Sequence, residues 1–252
     1  MARLLVLGGT ELANSFVAAV REAHPDLEII LSLAGRTRDP KLPDCEVRTG
    51  GFGGAEGLAE YLKTEGISAL VDATHPYAAR ISANAAEAAK AALVPCLHLI
   101  RPEWNREPGD NWHMAADNEA AADILDELSS NAPLTVFLSI GRQDLASYFL
   151  LWNCAFVVRS VEPPPEEDLP PDAKLVLARG PFGEADELAF LSENAVDILV
   201  SKNSGGSATY GKIAAARRLR IPVVMVERSA LPSGEVVGTV VDAVDWVAAQ
   251  LR

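Results

Sequence analysis

A carboxylate, a hydroxyl and an imidazole stand within five consecutive residues, Asp72-Ala73-Thr74-His75-Pro76. The run ahead of them, Ile67-Ser68-Ala69-Leu70-Val71, is apolar enough for a buried strand, and residues 77–93 are rich in alanine, a strong helix former. The polar cluster therefore falls at a strand-to-helix turn, where open α/β sheets bind ligands. His75 suits acid/base chemistry or stacking on a flat ring, and equally suits the capping of its own helix. The same grammar returns later in the chain. Val196-Asp197-Ile198-Leu199-Val200 leads into Lys202-Asn203-Ser204-Gly205-Gly206, and residues 209–219 make a second alanine-rich helix.

Other strand ends carry further chemistry. Leu4-Leu5-Val6-Leu7 runs into Gly8-Gly9-Thr10 and a helix from Glu11 toward Ala23, a turn whose backbone amides suit a phosphate. It departs from G-x-G-x-x-G, because Thr10 takes the second glycine's place and Ala13 the third's. The next strand, residues 28–33, ends in Ala34-Gly35-Arg36-Thr37-Arg38. An arginine at that position accommodates a 2′-phosphate, where a carboxylate would hold the free ribose hydroxyl, so Arg36 and Thr37 favour NADP over NAD. Arg38 reads as part of a solvated basic loop. After Glu46-Val47-Arg48-Thr49 come Gly50, Gly51, Phe52, Gly53 and Gly54, a loop suited to lie flat against a ring or a phosphate. Arg101-Pro102-Glu103-Trp104 offers a tryptophan that either stacks on a large anionic ring or seals a domain joint. Arg142, Arg159, Arg179 and Lys202 each follow a strand-like run, and in a parallel sheet such ends share one edge.

The elements that must position these residues alternate strand and helix along the whole chain. The expected fold class is α/β, with two Rossmann-like parallel-sheet domains and a cleft between them. The expected division is residues 1–112 for an NADP(H)-binding domain and 113–252 for a second, substrate-facing one. A helix is expected over residues 115–130, and an acidic extended surface loop over 163–171.

Several machineries are excluded. Gly206 to Lys212 matches the glycine–lysine spacing of a P-loop, but Ile213 stands where a hydroxyl would bind magnesium. No tyrosine precedes a lysine by four residues, and neither G-x-S-x-G nor H-E-x-x-H occurs. Cys45, Cys96 and Cys154 are odd in number and lack C-x-x-C spacing, so neither a disulfide framework nor a metal site is expected, and a reducing cytoplasm is. A net charge of −13 disfavours nucleic acid and membrane partners, and any polyanionic ligand must meet cations gathered in one place.

Taken in order, Leu7-Gly8-Gly9-Thr10, Ala34-Gly35-Arg36-Thr37, the loop from Gly50 to Gly54, Asp72 to Ala78, Arg101-Pro102-x-Trp104, Gly141-Arg142-Gln143, Ala178-Arg179-Gly180-Pro181-Phe182 and Lys202 to Gly206 resemble the precorrin-6A reductase family of cobalamin biosynthesis. The resemblance implies NADPH as cofactor and a polycarboxylate tetrapyrrole as the small-molecule substrate, reduced by hydride transfer. It places the pyrophosphate at Gly8, Gly9 and Thr10, and the adenosine end at Arg36 and Thr37. The nicotinamide side falls to Gly51, Phe52, Gly53, Gly54, Asp72, Ala73, Thr74, His75 and Pro76. The macrocycle falls to Arg101, Trp104, Arg142, Arg179, Lys202, Asn203, Ser204, Gly205 and Gly206. His75 and Lys202 are the candidate proton donors, beside bulk water. The alternatives are a cobalt-precorrin-6A reductase and a non-catalytic NADP(H) sensor. Oligomeric state is left open.

Overall fold

The protein is described by a computed structural model covering residues 2–35, 40, 42–230 and 233–250. The chain divides into two compact units, Met1–Pro102 with Ser229–Arg252, and Glu103–Arg228.

In the first unit six parallel strands run in the order β12-β5-β4-β1-β2-β3. They are β1 (Arg3–Leu7), β2 (Glu28–Leu33), β3 (Glu46–Thr49), β4 (Ala69–Asp72), β5 (Cys96–Leu99) and β12 (Glu235–Val237). Side chains of a strand alternate between faces, and β1 shows the consequence. Leu4 and Val6 enter one core with Phe16, Val17 and Val20 of helix α1 (Glu11–Ala23) and with Ala243, Trp246 and Val247 of α7 (Val240–Gln250). Leu5 and Leu7 enter the opposite core with Leu58 and Leu62 of α2 (Gly54–Thr64) and Ala85, Ala88 and Ala89 of α3 (Ala79–Ala92). Continuous apolar runs are what a sheet covered on both faces requires.

The second unit has the order β6-β11-β10-β7-β8-β9, again wholly parallel. Its strands are β6 (Trp112–Ala115), β7 (Leu134–Ser139), β8 (Cys154–Ser160), β9 (Lys174–Leu177), β10 (Ile198–Lys202) and β11 (Val223–Val226). Its helices are α4 (Asn118–Ser129), α5 (Glu184–Glu193) and α6 (Gly211–Leu219). Strand for strand, β7, β8, β9, β10, β11 and β6 take the places of β1, β2, β3, β4, β5 and β12. Both α3 and α6 end on a left-handed residue other than glycine, Leu93 (φ 58°) and Arg220 (φ 60°), each two residues before a proline.

The expected division at residue 112 is corrected at both ends. Residues 103–111 belong with the second unit, where Trp104 is buried in the core with Ile213 and Met225. The Arg217 guanidinium there pairs with Asp110 at 2.8 Å and Glu107 at 3.0 Å. The chain's last stretch returns to the first unit, where β12 pairs with β5 and becomes the edge strand of the sheet. Residues 112–115, the last of them expected to begin a helix, form strand β6, and α4 starts only at Asn118. Asp117 fixes that start by accepting the Ala120 N–H at 2.8 Å. The acidic loop carries a short 3-10 turn, Glu166–Asp168.

Candidate active site

In both sheets the chain order reverses beside the central strand, between β1 and β4 in the first unit and between β7 and β10 in the second. The C-terminal ends of such a strand pair open on a crevice, the usual ligand position in open α/β sheets.

At the first reversal Thr10 joins the two loops. Its hydroxyl donates to the Ala73 carbonyl at 2.8 Å and accepts the Ala13 N–H at 3.0 Å, so it caps α1 while tying it to the turn after β4. Gly8 is a packing glycine, since a Cβ there would lie 2.5 Å from Leu31. Gly9 is different: its φ is +103° and a Cβ would meet nothing. The backbone therefore lies bare at a helix N-terminus, where amides and dipole favour a phosphate. Gly51, Gly53 and Gly54 likewise border open space, with φ +83° at Gly53 and +91° at Gly54. These residues fit the pyrophosphate-bearing dinucleotide that the sequence suggests. Arg36 and Thr37 lie outside the described residues.

Asp72 is placed differently from the expectation that it lines a ligand. It is 2% exposed and faces inward. One carboxylate oxygen accepts from the Thr74 amide (3.0 Å) and hydroxyl (2.6 Å), while the other meets His98 Nδ1 at 3.0 Å. Burial pushes its pKa up, but hydrogen bonds from His98, Ser82 and Thr74 outweigh it and hold the carboxyl below its ordinary value. Asp72 thus clamps the turn. Ala73 is buried beneath it, whereas Thr74, His75 and Pro76 are half-buried. His75 Nδ1 accepts the Tyr77 N–H at 3.3 Å, which leaves the proton of a neutral ring on Nε2. The cap of α3 itself is Ala78, without a side-chain hydrogen bond, so His75 orders the turn before the helix instead of capping it.

Sequence reading missed Arg48. Its guanidinium donates to Ser32 Oγ (2.7 Å) and to the carbonyls of Gly50 and Gly51 (3.2 Å each), and lies 3.8 Å above the Phe52 ring. It pins the glycine loop to the end of β2. An arginine two residues before a glycine run was the available signal.

At the second reversal Lys202 bridges to Asp144, joining the loops after β10 and β7. Because β10, β7, β8 and β9 are consecutive and parallel, Lys202, Arg142, Arg159 and Arg179 do emerge along one edge, but not alike. Arg142 is half-buried and paired with Glu162 at 3.3 Å, and Arg179 is exposed. Arg159 is a core residue: its guanidinium binds buried Glu187 through two bonds of 2.6 and 3.0 Å and stacks on Phe182 at 3.8 Å. Trp104 donates its indole N–H to the Gly206 carbonyl at 2.7 Å and its backbone N–H to Asn203 Oδ1 at 2.8 Å. Asn203 and Ser204 are buried and Gly206 is exposed, so Trp104 acts as the post that holds the Lys202–Gly206 loop in shape. Arg101 is half-buried, two residues past β5.

Among the described residues no helix is long and apolar enough to cross a membrane, and no His/Cys/Asp/Glu group could hold a metal ion. The three cysteines are unbridged, and burial pushes the Cys96 thiol up to about 12, out of reach of thiolate chemistry.

Two reversal points, one offering bare backbone amides at a helix start and the other a row of cations, define a two-unit Rossmann-like α/β oxidoreductase scaffold. The chain belongs to the precorrin-6x reductase family CbiJ/CobK, whose model matches residues 3–248. It is 47% identical to the precorrin-6A reductase of Rhodococcus erythropolis over the full length of both chains. A solved structure of CobK precorrin-6A reductase superposes with a TM-score of 0.91 at 38% identity, covering 99% of this chain and 97% of that one. The cobalt-precorrin-6A reductase of Priestia megaterium is more distant, 24% identical over 99% of both chains.

Proposed function

We propose that this chain reduces precorrin-6A to precorrin-6B in cobalamin biosynthesis, with NADPH as the hydride donor. The observation that carries the reading is the row of loops at the ends of β10, β7 and β9. There an acidic protein gathers Lys202, Arg142 and Arg179 on one edge, as a substrate rimmed with carboxylates demands. Bound NADPH would supply the hydride, leaving the protein to bind, orient and protonate. Gly9 and the first turn of α1 would hold the pyrophosphate, with Arg36 and Thr37 at the 2′-phosphate. The loop pinned by Arg48 and the turn clamped by Asp72 would shape the nicotinamide side. His75 Nε2 or Lys202 Nζ would deliver the proton that accompanies the hydride. Identity of 47% to a metal-free reductase against 24% to a cobalt-substrate one favours precorrin-6A over its cobalt form. Three free thiols fit the reducing cytoplasm where NADPH is abundant.

The test is anaerobic incubation of the protein with precorrin-6A and NADPH, following the absorbance of both. Equimolar loss of NADPH and of the precorrin-6A chromophore is expected. NADPH that binds but is never consumed would point to a sensor, whose second unit would have no use for its cations.

A further inference from the structure

Two of the cations assigned to the substrate, Arg142 and Lys202, already meet carboxylates of the chain itself. Arg142 Nη1 meets Glu162 Oε2 at 3.3 Å and donates to the Pro163 carbonyl at 3.4 Å, and Lys202 Nζ bridges to Asp144. These partners stand apart from Glu187, which is fully buried under Arg159 and belongs to the core. Side-chain exposure separates the classes: 19% for Glu162 and 32% for Asp144, against 0% for Glu187. Glu162 begins the Pro163-Pro164-Pro165 stretch, whose fixed backbone holds it beside the Gly141-Arg142-Gln143 loop. Arg142, Gln143, the three prolines and Asp168 line one hollow of about 480 Å³. Asp144 lies two residues from Arg142 on the loop after β7, at the second reversal point, and Glu162 reaches that loop from the neighbouring end of β8.

We propose that Glu162 and Asp144 are internal counter-carboxylates, which the substrate's own carboxylates replace at Arg142 and Lys202. The proposal rests on the tetrapyrrole reading of this edge. It makes the two residues determinants of specificity. A ligand with carboxylates placed to take both cations exchanges one ion pair for another at each position. A ligand with too few, or with the wrong spacing, leaves a chain carboxylate in place and is repelled by it. The pairs are partly solvated, so each contributes little to folding, and replacing the acid removes a competing carboxylate at small structural cost.

Glu162→Gln and Asp144→Asn test this in the full chain. Dissociation constants are measured for uroporphyrin and for coproporphyrin, which carries fewer carboxylates, alongside NADPH affinity and melting temperature. Each substitution is expected to tighten uroporphyrin by about two- to fivefold, the release of a pair held by roughly 0.4–1 kcal/mol. Coproporphyrin should gain more than uroporphyrin, narrowing the preference between them, with NADPH affinity unchanged. Arg142→Gln, by contrast, should weaken uroporphyrin. Porphyrin affinities that stay level or fall in both acid-to-amide variants, with unchanged melting, overturn the counter-carboxylate role and leave the tetrapyrrole site standing. A wild-type chain that binds NADPH but neither porphyrin nor precorrin-6A removes the functional reading, and this proposal with it.

Discussion

The two units share a strand order and differ most in the segment after the first central strand. After β1 the chain enters a 13-residue helix whose first turn is capped by Thr10 and lies against bare glycine backbone. After β7 the described chain makes only a 3-10 turn, Ala146–Tyr148, before β8 begins. The first unit therefore offers backbone amides and a helix dipole, a concentrated arrangement suited to one pyrophosphate. The second lacks that helix and offers side chains spaced along the sheet edge, Lys202, Arg142 and Arg179 at the ends of β10, β7 and β9. Strands lie about 4.8 Å apart, so this spacing suits carboxylates spread around a macrocycle. Thr10 and the Lys202–Asp144 pair occupy matching places, each tying the two loops of its reversal point. On the proposed reading, one scaffold serves two kinds of anion.

The largest effect is expected of Arg159→Ala. It strands the buried Glu187 carboxylate, so a loss of about 3–5 kcal/mol is expected in denaturant unfolding. Arg159→Met combined with Glu187→Leu should recover most of it. A loss under about 1 kcal/mol would mean that Arg159 belongs with the ligand cations after all.

Next in size is a pair of reciprocal effects on binding. Arg36→Ala should weaken NADPH far more than NADH, and Arg142→Gln should weaken the tetrapyrrole while sparing NADPH. Each lost charge-assisted contact costs about 1.5–3 kcal/mol, less where solvent screens it. Equal losses for NADPH and NADH would remove the 2′-phosphate role of Arg36.

Asp72→Asn acts on the turn clamp and has no counterpart at Lys202. Because the folded carboxyl titrates below its ordinary value, the unfolded chain takes up that proton first as pH falls. The stability it contributes is whole above the unfolded value of about 4 and is lost as pH drops through the lower folded value. Melting followed from pH 7 to 2 should thus show a shallower acid limb in the variant, together with a loss of roughly 1–2 kcal/mol at pH 7. Parallel acid limbs would deny Asp72 its clamping charge.

Much of this was legible in the sequence because buried parallel strands are continuous apolar runs. β2 and β3 fall where the pattern sets them, and the polar turns follow from strand ends. The strands that escaped, β6 and β12, sit at sheet edges and are defined by a partner distant in sequence: β6 by β11, and β12 by β5. Nothing in Trp112-His113-Met114-Ala115 alternates, and the pull of α7 onto β1 is a tertiary effect. Strand ends are legible in sequence, but the packing of the side chains they carry is not. Sequence shows that Arg159 follows a strand, but not that Glu187, on a helix of ordinary acidic look, turns inward to meet it. Trp104 is similar: its neighbours Asn203 and Gly206 lie about a hundred residues away, at separations of 99 and 102.

The smallest effect sharpens the likeness of the units. Leu93 and Arg220 hold the same left-handed helix stop, so Leu93→Gly and Arg220→Gly should each stabilise the chain by up to about 1 kcal/mol. Opposite signs at the two positions in thermal unfolding would show that the stops are not equivalent.

The division of labour is tested most directly by amide hydrogen exchange of the full chain, with and without saturating NADPH. Slowed exchange is expected at residues 8–13 and 72–77 of the first unit, while residues 141–145 and 202–206 keep their rates until a polycarboxylate tetrapyrrole is added. NADPH that protects 141–145 and 202–206 and leaves 8–13 unchanged would contradict the assignment of nucleotide to the first unit and macrocycle to the second.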